Sequence, residues 1–181
     1  MGGSLSESEI KTILSWFPHL QPKYFIELGT FKGLSSRIAS KIFPYVYTIE
    51  IVPELYQESK SISDQERITN ITYLLGDTIK LLPDLIPKID VSAVWFCDAH
   101  QSGQDTGNNG KWVPLLDELN IILSSYNHPS IYIIDDVRLF SKYWDWAEIS
   151  IDSIVNCFRT HNKEILTNFS NNDRYIIVTK N

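Results

Sequence analysis

Apolar positions along the chain follow two alternating periods. Ile10, Ile13, Leu14 and Phe17 recur at helical spacing behind Ser6, and Ser6 with Glu9 has the spacing of a capping box. Pro18 and Pro22 close that helix. Short continuous apolar runs then come at regular intervals: Tyr24–Ile26, Tyr45–Ile51, Ile68–Leu75, Val91–Cys97 and Ser130–Ile134. Runs of this length, rich in β-branched and aromatic residues, are strands covered on both faces. Helical stretches fall between them at Leu34–Ile42, Pro53–Ile62, Thr78–Leu82 and Val113–Ser124, and Trp144–Arg159 predicts one more. Ile165–Phe169 and Arg174–Thr179 flank Asn171-Asn172, which predicts a closing antiparallel pair. Alternation of this kind predicts an α/β fold, with a doubly wound sheet of five parallel strands, helices on both faces, and a C-terminal antiparallel hairpin.

Composition narrows the partners. At 181 residues the chain is one domain, long enough to bury about 70% of its unfolded surface without staples. A formal net charge of −6 with no basic run argues against a nucleic-acid partner. No apolar run is long enough to span a bilayer, so no membrane association is expected. Cys97 and Cys157 make no disulfide framework and no CxxC, which fits a reducing, cytoplasmic setting. Met1-Gly2-Gly3-Ser4 reads as a cloning remnant. That predicts a single domain over residues 5–181, cut from a larger protein.

The ends of the predicted strands carry the chemistry. Each parallel strand ends in an acid: Glu27, Glu50, Asp77, Asp98 and the pair Asp135-Asp136. In such sheets, ligands sit outside the carboxyl ends of the strands. Glu27 is followed by a glycine turn, Gly29 to Gly33, and then by a helix start at Ser35 and Ser36. A strand, a glycine turn and a helix N-terminus form a nucleotide-type site, in which free N–H groups face the ligand. Phe31 stands where GxGxxG has its second glycine, which disfavours a dinucleotide and with it a nicotinamide-dependent oxidoreductase. Glu50 is placed to accept both hydroxyls of a ribose. Asp98, Asp135 and Asp136 converge if their strands are neighbours, and three packed carboxylates need a cation or raised pKa values. All-oxygen ligation suits Mg²⁺ or Ca²⁺, and also Mn²⁺. Histidine titrates near neutrality, so His100 is a candidate base. The polar stretch Gln101–Lys111, with Gly103, Gly107 and Gly110, reads as a lid. Trp112, Trp144 and Trp146 offer a sugar ring an apolar face, and Arg138 either orients an acceptor or balances the aspartates.

ELGTFKG, with the spacing E-x-G-x-x-x-G, resembles motif I of class I S-adenosylmethionine-dependent methyltransferases. ELGTFKGLSS is similar to the turn of the catechol and caffeoyl-coenzyme A O-methyltransferase group. The string FCDAHQSGQDTG, followed by PLLDEL and IYIIDDVRLF, resembles uncharacterised bacterial and viral methyltransferases with D-[AG]-H and D-D-x-R-x-F elements. The resemblance covers roughly Tyr24 to Phe140. It implies a Rossmann-like, seven-stranded methyltransferase fold with S-adenosylmethionine as cofactor. The implied cofactor contacts are Glu27, Gly29, Thr30, Phe31, Gly33 and Ser35 in the turn, Glu50 and Ile51 at the ribose, Gly76, Asp77 and Thr78 at the adenine, and Asp98. Metal-dependent O-methyltransferases of the catechol and macrolide-sugar types place acids where Asp98, Asp135 and Asp136 stand, which implies Mg²⁺ or Mn²⁺ there. Asp98 and His100 would then be catalytic. Lys111 is the one lysine between Asp98 and Asp136, so a catechol-type lysine base has no clear counterpart. The expected reaction is therefore O-methylation of a sugar hydroxyl, with a deoxysugar such as rhamnose in a glycan as the example. The partners expected are a small-molecule or glycan acceptor and glycan-building domains fused to or associated with this one. The alternatives are a phenolic or catechol-like acceptor, a metal-dependent hydrolase that ignores Glu27 and Glu50, and a non-catalytic binding module.

Overall fold

The computed structural model describes residues 3–100 and 110–180. The elements run α1 (Glu7–Trp16), β1 (Tyr24–Leu28), α2 (Leu34–Ala39), β2 (Tyr45–Glu50), α3 (Pro53–Gln65), β3 (Ile71–Leu75) and α4 (Thr78–Leu85). They continue with β4 (Ala93–Cys97), α5 (Leu115–Ser125), β5 (Ser130–Ile134), α6 (Ile151–Thr160), β6 (Ile165–Asn171) and β7 (Arg174–Thr179). One seven-stranded sheet has the order β3-β2-β1-β4-β5-β7-β6. The first five strands are parallel, and β7 runs antiparallel to both β5 and β6. The expected five parallel strands and closing hairpin are both present. Among the described residues, no helix is long and apolar enough to cross a membrane.

Strand alternation divides the interior into two cores. Ile26, Leu28, Trp95, Tyr132 and Ile134 pack against Leu82, Leu119, Ile122, Ile154 and Phe158 of α4, α5 and α6. Their sequence neighbours Phe25, Val94, Phe96, Ile131 and Ile133 face the other way, onto Ile10, Ile13 and Ala39 of α1 and α2. Both faces of the central strands are thus covered, which is why these strands read as unbroken apolar runs. One switch point follows from the order: β1 lies between β2 and β4, so the winding reverses there and the turns after β1 and β4 meet.

Several expected boundaries move for local reasons. The third and fourth strands begin at Ile71 and Ala93, later than their apolar runs. Arg67, with φ of 59°, delays the third strand by closing α3 in a left-handed residue. Trp144–Arg159 is not one helix. Trp144–Trp146 forms a 3-10 turn, and α6 starts afresh at Ile151 behind a Ser150 capping box closed by Ser153. A serine cap contributes about 1 kcal/mol, enough to restart a helix whose preceding turn is already bent. The hairpin turn sits one residue later than Asn171-Asn172, because Asn172 and Asp173 both take positive φ, 49° and 65°, as a two-residue primed turn requires. α4 runs on through Pro83 to Leu85.

The N-terminal segment is held against the sheet. Leu5 is fully buried, and its N–H donates to Ser35 Oγ at 3.0 Å. Arg174 of β7 donates to the Gly3 carbonyl and, at 2.6 Å, to Glu9 of α1. Gly3 and Ser4, expected to lie outside the domain, border the cavity at the carboxyl ends of the strands.

Gly29 sets how closely the turns after β1 and β4 approach. Its φ is 94°, and a Cβ there would stand 2.7 Å from the Asp98 carbonyl oxygen. Gly29→Ala combines that backbone clash with a disfavoured φ and is expected to destabilise the fold by roughly 2–4 kcal/mol. Urea denaturation checks this, and a midpoint equal to that of the native chain would contradict the close approach.

Candidate active site

The glycine turn is braced from within. Gly29 N–H and Thr30 N–H both donate to the Ile49 carbonyl at 3.1 Å, and Gly33 N–H donates to the Thr30 carbonyl at 2.8 Å. Phe31 N–H donates to Glu50 Oε2 at 2.7 Å, and Val52 N–H to Glu50 Oε1 at 2.9 Å. These N–H groups, expected to face a ligand, are spent on β2 and on the turn itself. Glu50 thereby ties the turn to β2 while its carboxylate borders the cavity.

Glu27 faces away from the cavity. It shares a face with Phe25, and parallel register sets it opposite Thr48, whose hydroxyl donates to it at 2.7 Å. Ser36 of α2 donates to the same carboxylate oxygen. Burial pushes the Glu27 carboxyl up to about 7, against these hydrogen bonds. Three other predicted cofactor contacts differ in position. Thr30 pairs with Thr48, Ser35 holds Leu5, and a Cβ on Gly33 would meet Ser59 of α3. Glu27, Thr30, Gly33 and Ser35 form a buried brace behind the turn and do not line the cavity.

The cavity has a volume of about 330 Å³ and opens along the carboxyl ends of the parallel strands. Gly29, Phe31, Glu50 and Ile51 form one wall, and Gly76, Asp77 and Thr78 after β3 form the next. Asp77 caps α4 by accepting from Ile79 N–H at 3.0 Å. Thr78 donates to Glu118 of α5, a buried acid that the sequence reading did not single out. Burial raises the Glu118 carboxyl to about 8. Asp98, Ala99, His100, Trp112, Pro114, Asp136 and Arg138 complete the cavity.

At this second end the acids do not gather as expected. The side chains that converge are Asp98, His100 and Asp136, whose ligand atoms lie within 4.8 Å of one another. His100 Nε2 is 3.0 Å from Asp136 Oδ2, and Nδ1 is 3.6 Å from Asp98 Oδ1. Asp135 does not line the cavity: Arg174 Nη2 stands 3.6 Å from it, and its carboxylate groups instead with those of Asp136 and Asp173, within 4.8 Å. Consecutive strand-end residues point to opposite faces, so only one of this pair reaches the cavity. Asp136 is the one that does, and it takes a left-handed conformation with φ of 64°. Asp135 accepts the Asp136 N–H at 2.9 Å, which fixes that bend.

Electrostatics follow the placement. Burial pushes the Asp98 carboxyl well up, and the charges of Asp135 and Asp136 push it further. Burial also raises Asp135, to about 6, against the nearby Arg174. For Asp136, burial is outweighed by the hydrogen bonds and charges of His100 and Arg138, which hold it below the usual carboxylate range. Arg138 also donates to Asp173 in the hairpin turn, so it balances the aspartates. Trp146, buried in the 3-10 turn, stands edge-on to His100 at 5.2 Å and fixes the ring's plane. The predicted lid overlaps residues 101–109 and so falls mostly outside the described residues.

No protein-family model matches the chain. It is similar to the protein-L-isoaspartate O-methyltransferase of Ruegeria sp., 28% identical over 87 residues, which are 48% of this chain and 40% of that protein. The chain therefore aligns with less than half the length of this curated relative. Among solved structures, a Staphylococcus aureus protein named as a caffeoyl-CoA O-methyltransferase superposes with a TM-score of 0.64 at 16% identity, covering 99% of this chain and 86% of that one. A mutant of MtNAS in complex with S-adenosylmethionine also gives 0.64, at 13% identity, over 95% and 60% of the two chains. These superpositions show the fold: a seven-stranded α/β sheet with a closing antiparallel hairpin, shared with structures named as methyltransferases.

The protonation of Glu27 has a measurable consequence. An acid whose carboxyl sits near 7 when folded and near 4.5 when unfolded binds more protons in the folded chain between those values. Its contribution is fullest below pH 4.5 and is lost as pH rises toward 7, at up to about 1 kcal/mol per pH unit. Glu27→Gln is expected to flatten this fall in urea-denaturation free energies taken at pH 5, 6 and 7. Profiles that stay parallel would show that Glu27 ionises without penalty.

Proposed function

We propose that the protein is an S-adenosylmethionine-dependent O-methyltransferase that methylates a sugar hydroxyl with the help of a divalent cation. The observation that carries this reading is the junction of two half-sites in one cavity. Gly29, Glu50 and Asp77 edge one end, and Asp98, His100 and Asp136 edge the other. The cavity volume is within the range of small-molecule sites, about 300–1,000 Å³, and Gly29 leaves the space that a side chain would fill. S-adenosylmethionine supplies a methyl group on a positively charged sulfur, which leaves as a neutral thioether.

The chain's own residues do the rest. Glu50 is held by the N–H groups of Phe31 and Val52 and has lone pairs left for ribose hydroxyls. Asp77 and Thr78 flank the adenine. His100 donates Nε2–H to Asp136, which leaves Nδ1 to take the acceptor's proton as the new carbon–oxygen bond forms. Asp136 is positioned for this by its left-handed bend. Asp98, across from Nδ1, receives the acceptor hydroxyl. The cavity also fits a cation: Asp98 and Asp136 offer carboxylates, which suit Mg²⁺ and Mn²⁺, while His100 keeps Nδ1 clear of the ion as the base. Such an ion would lower the pKa of a chelated hydroxyl.

A sugar is favoured over a phenol because Lys111, the one candidate for a catechol-type base, is committed to Asp117. Cys97 and Cys157 are free and buried, which suits the cytoplasm. Partnership with glycan-building domains remains part of this proposal.

His100→Ala and Asp136→Asn are each expected to lower turnover by about 10²–10⁴-fold. Neither should alter S-adenosylhomocysteine binding in a thermal-shift assay. Methyl transfer to sugars is read by mass spectrometry. A chelator should abolish transfer and spare cofactor affinity, whereas unchanged turnover would leave the His100–Asp136 pair as the whole of the chemistry. Absence of any S-adenosylhomocysteine binding would overturn the reading.

A further inference from the structure

The rim of the cavity carries an indole pair that the chemistry above leaves unused. Trp112 borders the cavity and is 39% exposed, and Trp144 beside it is 74% exposed. Their ring centroids are 5.5 Å apart and their planes meet at 73°, so together they form an open corner. Exposing this much indole forgoes the burial that normally makes a tryptophan stabilising, and large exposed apolar surface beside a cavity marks binding. The corner is also anchored. Trp146, in the same 3-10 turn as Trp144, is buried against His100 and stacks on Phe140 at 5.9 Å. The Trp146 carbonyl accepts from Ser141 N–H at 3.1 Å, and Trp146 N–H donates to the Tyr143 carbonyl at 3.0 Å. One short turn therefore aims one indole inward at the proposed base and another outward at the rim.

We propose that the Trp112–Trp144 corner is a subsite for a second pyranose ring, so that the acceptor is a carbohydrate chain and not a free monosaccharide. This rests on the sugar reading of the same cavity. A pyranose has an apolar C–H face and a polar hydroxyl edge. Perpendicular indoles match that shape, one taking the face while the other meets the flank. Arg138 at the rim gives Nη1 to Asp136 and Asp173, and its guanidinium carries further N–H donors for the hydroxyls. A flat phenol would gain most from an enclosed slot, whereas this corner is open to solvent on one side and lets a chain run out of the site.

The test is calorimetric titration of the S-adenosylhomocysteine-loaded protein with methyl rhamnoside, a linear rhamnose trisaccharide and catechol. The native chain should bind the trisaccharide at least about tenfold more tightly than the monosaccharide. Trp144→Ala should erase that difference and leave monosaccharide binding and the melting temperature unchanged, since Trp144 is mostly exposed. Equal affinities in the native chain, trisaccharide binding untouched in Trp144→Ala, tighter binding of catechol, or no binding of either sugar would each overturn the subsite. All four outcomes leave the methyltransferase reading standing as long as S-adenosylhomocysteine binds. Its failure to bind would sink that reading instead.

Discussion

The close approach of two backbones at the centre of the sheet governs the site. β1 is flanked by β2 and β4, and the chain turns away from β1 and β4 at the same level. Only a residue without a side chain at Gly29 lets the β1 turn rest on the Asp98 carbonyl and on Ala99. That contact sets where Asp98 begins the second half of the cavity and where Glu50, bonded to the next residues of the turn, ends the first. A wider separation would split one cavity into two shallow clefts. Methyl transfer needs both reactants in one line, so this spacing bears directly on chemistry.

Around that contact, the chain sorts its acids by face. Glu27 and Asp135 do not line the cavity and are satisfied away from it, by Ser36 and Thr48 in one case and near Arg174 in the other. Glu50, Asp98 and Asp136 lie along the cavity. Strand ends in a parallel sheet thus do two tasks with one residue type: neighbours along the chain alternate between bracing the scaffold and facing the ligand space.

Much of the fold was legible in the sequence because two-sided burial leaves an unmistakable trace: apolar runs such as Val-Trp-Phe-Cys admit no polar face. The site was legible in outline, since acids at strand ends must lie on one rim once the strands are parallel. What the sequence could not supply was which of two adjacent acids faces inward. Asp135 and Asp136 differ only by register, and the deciding features are the left-handed bend at Asp136 and a partner, Arg174, roughly forty residues further along the chain. The same limit applies to Glu27, whose orientation follows from its pairing with Thr48 across strands. The break between the 3-10 turn and α6 was legible in principle, because Ser150 and Ser153 have capping-box spacing, but the apolar periodicity of Trp144–Arg159 runs across it.

The hydrogen bond from Arg174 to the Gly3 carbonyl joins residues 171 positions apart. Contacts of such separation form late, because the intervening chain must already be ordered before the two ends meet. The segment at Gly3 can dock only once β7 lies between β5 and β6, because its partner Arg174 belongs to that strand. The wall it contributes to the cavity is therefore finished only when the sheet is.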